Sequence, residues 1–407
     1  TAGVLNLTAL LDKISQDTVQ QSDSGNFVLK SNRISIVNSN FRLKQTNAAL
    51  VDFGVNFEDM HLSNLNIDAR GFILSGDTIA MAINEMNFIE KSGLKVDQFR
   101  ADFSLCNHHL NFGKLRILSQ GSAFRFNHLN MGFSSWSMFS DFVNSIKLNA
   151  DISNSYIKTS TLAYFVPTFR DINMAFAIDG EAKGTVSNFK GKNITITTGA
   201  QTVISTNFAV TGLPHIEQTL MVIDIKELST TRKDLASIKE GNGTTPLLGI
   251  ASDFDVLGKV TYRGNFTGYI NDFVAYGTFK SAIGALAVDL SFVPDKKAGI
   301  NFKGNLDAKS LDIGKLAQTN AIGKTSFHAK VNGNFDEKAN VKALTDATIK
   351  SLVANGYDYS GIEISGNLSN KTYIGSVHLN DPNCKLNFMG KIDFADSIPV
   401  FDFSAFV

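Results

Sequence analysis

Seven histidines, at positions 61, 108, 109, 128, 215, 328 and 378, are the side chains of this sequence best suited to move a proton or hold zinc near neutral pH. Their spacing serves neither purpose. His108 and His109 are adjacent, so on a strand they face opposite ways and cannot share an ion. No HExxH, CxxC or close histidine pair occurs, and Cys106 and Cys384 read as two unlinked thiols rather than a long-range disulfide. Asp253 and Asp255 read as one strand step apart on one solvated face, with no acid–base role. The glycine-rich run Gly241–Gly249 lacks the lysine of a phosphate-binding loop and follows a charged helical stretch, so it reads as a flexible loop. In "NIDARG", Arg70 stands where a calcium loop needs an oxygen ligand. With no GxSxG elbow either, the expectation is a protein that is not an enzyme and calls for no metal or cofactor.

The elements that carry these residues are strands. "FHAKVNGNF" places Phe327, Ala329, Val331, Gly333 and Phe335 on one face and His328, Lys330, Asn332 and Asn334 on the other, the period of a half-buried strand. The same alternation puts Phe176 and Ile178 together, then Val260, Tyr262 and Phe266, then Val288, Leu290 and Phe292. Further along it groups Ile300, Phe302 and Leu306, then Ile362 and Ile364, then Leu386, Phe388, Ile392 and Phe394. Asn, Lys, Asp, Ser and Thr occupy the alternate positions, and the short turns "PDKKAG", "DEKAN", "SNKT" and "NDPN" favour antiparallel neighbours. Short helices are expected near 134–146, in "TSTLAYFVP", "TTRKDLASIKEGN" and "LDIGKLAQTN", and in the opening "LTALLDKISQD".

Composition narrows the partners. The 38 basic and 38 acidic side chains cancel, which argues against nucleic acid as ligand and against an electrostatic membrane patch. Phe outnumbers Tyr and Trp by 32 to 8 and 1, favouring dry surfaces over wet ones. The start has neither the basic region nor the apolar core of a signal peptide, and no run approaches a membrane span. The ending "SIPVFDFSAFV" stops within an alternating strand, so a piece of a longer chain is expected.

Three of the helical stretches precede long strands ending in a polar residue and Phe: Phe189, Phe266 and Phe335, about 77 and 69 residues apart. Such a repeat implies units stacked in one direction. With no linker to divide the chain, the reading is all-β: a long, continuous, mainly antiparallel sheet. An N-terminal segment, 1–150, runs without a break into a repeated segment, 151–407. At about 12 residues per strand and turn there would be roughly 30 strands, spanning about 140 Å. Alternation alone leaves three ways to cover the apolar face: a sandwich, a closed barrel, or a groove that meets a foreign apolar ligand.

The wording of the repeats resembles a known family. "NGYDYSGI", "YIGSVHLNDPN" and "FMGKIDF" resemble late repeats of the TamB branch of the AsmA-like proteins, in the form found in Bacteroidota envelopes. "AKGTVSNFKGKNITITTGAQTVISTNFAVTGLPHIEQT" resembles an earlier stretch, so the likeness covers roughly 150–407. It implies a bridge-like lipid-transfer protein: a folded-over sheet whose groove carries phospholipid across the periplasm. It also implies an inner-membrane anchor, expected to lie outside this piece, and a BamA/TamA-like outer-membrane partner. Help in assembling outer-membrane proteins is the alternative role. The groove candidates are then the apolar positions named above, from Phe176 to Phe394.

Overall fold

The computed structural model describes residues 28–44, 50–106, 108–295, 299–335, 341–370, 372–393 and 400–406. Phe394, the opening "LTALLDKISQD" and the turn "DEKAN" lie outside them. The chain is all-β. Its first strands are β1 (Val28–Lys44), β2 (Asp59–Ser75), β3 (Thr78–Glu90), β4 (Lys95–Cys106), β5 (His109–Ser119), β6 (Ser122–Gly132) and β7 (Lys147–Lys158). There follow β8 (Ile172–Asn173), β9 (Ala175–Thr185), β10 (Asn188–Thr198), β11 (Thr202–Thr211), β12 (Leu220–Thr231), β13 (Lys239–Glu240), β14 (Lys259–Tyr269), β15 (Asp272–Ser281) and β16 (Gly284–Asp295). The last are β17 (Gly299–Asp312), β18 (Ile322–Phe335), β19 (Val341–Ala354), β20 (Tyr357–Tyr359), β21 (Ile362–Ser369), β22 (Thr372–Asp381), β23 (Cys384–Asp393) and β24 (Val400–Phe406).

All but β8 and β13 belong to one 22-stranded sheet. Each strand pairs antiparallel with the next along the chain, except that β20 and β21 both pair with β19 and that, where the β8–β13 ribbon intervenes, β7 pairs with β9 and β12 with β14. The sheet is open: among the described residues β1 pairs with β2 alone and β24 with β23 alone. β7 crosses the 150/151 division as a single strand, so the two sequence segments share one sheet. The described residues form 24 strands against the roughly 30 expected of the whole chain, because strands of 10 to 17 residues such as β22 and β1, with their turns, use more chain than the assumed 12 residues. At ~4.8 Å per strand, 22 strands extend roughly 100 Å.

Alternating connections emerge on opposite long rims. One rim carries tight hairpins such as Thr185–Asn188 and Tyr269–Asp272, together with the Trp136–Ser145 turns expected near 134–146. The other carries the helical pieces Thr159–Leu162, Arg232–Ser237 and Ile313–Leu316, at intervals of four strands. That is the structural form of the loose repeat. Thr231 and Asp312 cap two of these pieces by accepting the N–H groups of Asp234 and Lys315. Asp253 and Asp255 lie in a helical turn, Ser252–Leu257, rather than on a strand, and Asp255 accepts both Arg232 guanidinium bonds at 2.7 and 2.8 Å. The run Gly241–Gly249 follows the two-residue β13, not a helix.

These rim segments touch one another in series. Val55 N–H donates to Tyr164 O at 2.8 Å, β8 pairs with β13, and the Ser252–Leu257 turn packs on Ile313–Leu316. Buried hydrogen bonds tie them to the hairpins below. Asp234 accepts from Ala200 N–H, Gln201 N–H and the Thr202 hydroxyl, at 3.1, 2.6 and 2.9 Å. Asp381 likewise gathers Asn383 N–H, Ser360 N–H and the Tyr357 hydroxyl.

Bulges fold the sheet over. Asn38, Asn154, Asn193 and Ser310 adopt positive φ at register shifts, where an extra residue bends the strand and sharpens its twist. Each such N–H, removed from the ladder, donates instead to a side chain across the strand: Asn66 Oδ1, Asp179 Oδ1, Asn207 Oδ1 and Ser326 Oγ. The pairings from β14 to β17 and from β21 to β24 run in unbroken register. The bends are thus concentrated in the N-terminal half.

Burial pushes the Asp234 carboxyl up, but the hydrogen bonds from Gln201, Ala200 and Thr202 outweigh it and hold the group below the ordinary carboxylate value. A depressed carboxyl adds stability above about pH 4, the unfolded value, and loses it as pH falls through the folded value. Asp234→Asn is expected to cost roughly 1–3 kcal/mol at pH 7. In urea melts the gap to the parent chain should narrow as pH falls below about 4.

Candidate functional site

Residues directly opposite in an antiparallel pair share a face, so the register traces one surface through the sheet. Beginning at Phe176 and Ile178 on β9, the trace passes through Ile196, Ile204 and Leu228 to Tyr262 on β14. Thr230 leads likewise to Val260, and Ile223 to Phe266. From Tyr262 it runs through Phe279 and Leu286 to Ala308 and Phe327. Neighbouring rows place Val288 opposite Leu306, Leu290 opposite Gly304 and then Val331, and Phe292 opposite Phe302. Ile300 faces Phe335. Phe327 leads by Ile349 to Ile362, then Leu379 and Leu386; Ile364 leads by Val377 to Phe388; Tyr373 faces Ile392. Every described groove candidate therefore lies on one continuous face.

Charge is kept off that face. From β9 to β23 its described positions include no Lys, Arg, Glu or His, and the one Asp, Asp381, sits at the rim with its oxygens taken up by the N–H groups of Ser360 and Asn383. The ionic groups occupy the reverse face, where Arg263 pairs with Glu227 at 3.3 Å and His328 with Asp307 at 2.9 Å.

The apolar face has low relief because aromatic rings lie over glycines. A Cβ at Gly333 would stand 2.8 Å from the Phe302 ring, and one at Gly191 2.6 Å from Phe208. Tyr262 covers Gly264 and Gly277, Tyr373 covers Gly366 and Gly375, and their hydroxyls donate to Tyr276 O at 3.1 Å and Ser365 O at 3.0 Å. Burial raises the pKa of both phenols, keeping these groups neutral. Near the hairpin rim, Phe266, Phe273, Phe292, Phe302 and Phe335 form a ladder with successive centroids 4.7, 4.7, 6.5 and 4.7 Å apart. Each such pair adds about 0.5–1.5 kcal/mol beyond burial. Phe273, Phe279 and Phe208 escaped the sequence reading. The alternation in "DFVAYGTF" is apolar on both faces, which hid the first two.

Among the described residues no second layer covers these rings. Among the described candidates only Tyr262, Phe302, Ile362 and Phe388 are buried, Ile300 is 37 % exposed, and the rest are half-buried. In a sandwich core such residues would be shut off from water. The sheet is a trough.

In the N-terminal half the trough closes further. β2 to β6 wrap a cavity of about 380 Å³ lined by Met86, Phe99, Leu115, Ile117, Phe124 and Phe126 among others, with Phe57 and Phe165 at its mouth. Nothing in the candidate set pointed here, because the curl depends on bulges such as Asn64 and Lys114 and on contacts between distant loops.

Among the described residues no group of three or more His, Cys, Asp or Glu could hold a metal, and no helix is long and apolar enough to cross a membrane. Cys106 and Cys384 are free. Comparison of this chain with protein-family models, curated proteins and solved structures yields no match.

Gly333→Ala should lift Phe302 from the sheet, since its Cβ would meet both the ring and the Lys342 carbonyl. The expected cost is about 1–3 kcal/mol, read as a lower urea midpoint with an unchanged m-value.

Proposed function

We propose that this chain is a segment of a lipid-transfer bridge, similar to the TamB branch of the AsmA-like proteins, whose trough carries the acyl chains of phospholipids while their headgroups stay in water. One observation carries the reading: an apolar face whose one described charge is Asp381 at the rim, continuous over the fourteen sheet strands from β9 to β23 and left half-open. Apolar surface of this extent is stabilised when covered, by roughly 25 cal/mol per Å². The helical pieces among the described residues, none longer than six residues, lie at the rims. A hydrocarbon chain needs no hydrogen-bond partner, and the floor phenols Tyr262 and Tyr373 already donate to main-chain carbonyls. In this reading the protein works in the periplasm, tethered to the inner membrane, and hands lipid toward an outer-membrane partner of the BamA/TamA type.

The second reading, an assembly factor for outer-membrane proteins, draws on the sheet edge. β1 is a 17-residue strand paired on one side, with Val37 72 % exposed, and an extended client could add to it.

Native mass spectrometry of the chain purified in mild detergent separates the two. Several phospholipids per chain are expected. Val288→Asp and Val331→Asp place a carboxylate among the half-buried floor residues, at a cost on the order of 3 kcal/mol against hydrocarbon. They should lower occupancy more than about tenfold while circular dichroism stays that of the parent. A folded, lipid-free parent chain would overturn the conduit and leave the edge reading.

A further inference from the structure

The cavity inside β2 to β6 differs from the open trough. Its side walls come from five strands, and one end is stopped by the Thr159–Leu162 turn, whose Thr161 forms part of the lining. Over its mouth lie Phe57 and Phe165, ring centroids 6.5 Å apart and 60 % and 48 % exposed. The loop carrying Phe57 is pinned to the loop carrying Phe165. Val55 N–H donates to Tyr164 O, Phe53 stacks on Tyr164 at 5.2 Å, and the Arg170 guanidinium lies 4.4 Å over Phe53. Two loops more than a hundred residues apart thus make one lid.

We infer that this cavity is a binding site for a single acyl chain inserted end-on beneath Phe57 and Phe165, with its headgroup outside. The inference rests on the reading that lipid is what the sheet's apolar face meets, and it adds a retention site where that reading has only a passage.

Three observations select the occupant. The wall offers no free polar group: Glu90 accepts from Ser92 N–H at 2.7 Å and His61 N–H at 3.4 Å, the Ser119 hydroxyl donates to Lys95 O, and Thr161 accepts from Ser122. A peptide would bring main-chain groups that such a wall cannot satisfy, and a helix about 10 Å across would not fit the volume. At about 380 Å³ the space is more than twice the ~150 Å³ apolar cavity that takes up benzene. If a methylene needs about as much room as a water molecule, ~30 Å³, it holds roughly a dozen carbons of one chain.

The test uses a dansyl-labelled undecanoic acid, titrated into the purified chain after delipidation and followed by dansyl emission. One saturable site is expected. Leu115→Trp, at a cavity residue only 3 % exposed, fills the space and should weaken binding about tenfold or more. Val331→Asp, in the open trough, should leave it unchanged. Should Leu115→Trp fail to fold, Phe57→Ala with Phe165→Ala decides. Both rings are largely exposed, so the fold tolerates their loss, and probe release in stopped flow should quicken about tenfold. An unchanged release rate would overturn the inference. So would a probe lost in Val331→Asp but retained in Leu115→Trp, which places the chain on the open face and leaves the conduit reading standing. Absence of probe binding, together with a lipid-free parent chain, would remove both.

Discussion

Keeping one face of the sheet apolar from strand to strand is the constraint on which this structure depends. A slip of one residue in any pairing would send that strand's apolar set to the wet side. Hairpin connections hold most registers. The bulges are the harder case, because each inserts a residue and so inverts the alternation beyond it. β10 shows the accommodation: Phe189 and Gly191 face inward before the bulge at Asn193, and Ile194, Ile196 and Thr198 after it. The sequence shifts its apolar phase by one residue where the backbone does. The displaced N–H is met by a side chain on the neighbouring strand, so the bend leaves no buried donor unpaired.

Curvature then decides what the face can do. In the C-terminal half, where β14 to β17 and β21 to β24 pair without interruption, the floor stays open and most of its aromatic and aliphatic residues remain half-buried. The N-terminal strands carry more bulges and curl until the loop before β2 meets the loop after β7, shutting a cavity between them. One chemical surface thus appears in two forms, a shallow run and a deep pocket. The difference lies in backbone bends, and the cavity lining stays apolar apart from Ser119, Thr161 and Glu90, whose carboxylate accepts main-chain N–H groups.

Stability is distributed accordingly. The buried apolar set is small and scattered from Leu65 to Phe388, with no compact centre. Cohesion comes from nearest-neighbour ladders, from aromatic rings seated on glycines, and from the rim of helical turns. In that rim, carboxylates such as Asp234 and Asp381 collect the N–H groups of the hairpins beneath. An array of this kind behaves as a chain of coupled units rather than as a single core.

Much was legible in the residues before any coordinates. Alternation in "FHAKVNGNF" and its relatives specified strands, because a period of two admits no other regular backbone. It also specified which side chains share a face, and all nineteen described candidates fall on one surface. Short polar turns implied antiparallel pairing for the same local reason. Strand number was misjudged because length depends on how far each strand crosses the trough, which no turn signal encodes. The αL bulges, the lid of Phe57 on Phe165 and the cavity behind it came only with the tertiary structure. They arise where Val55 meets Tyr164 and Ser122 meets Thr161, between residues separated by whole runs of strands, and local periodicity carries no record of contacts at that range.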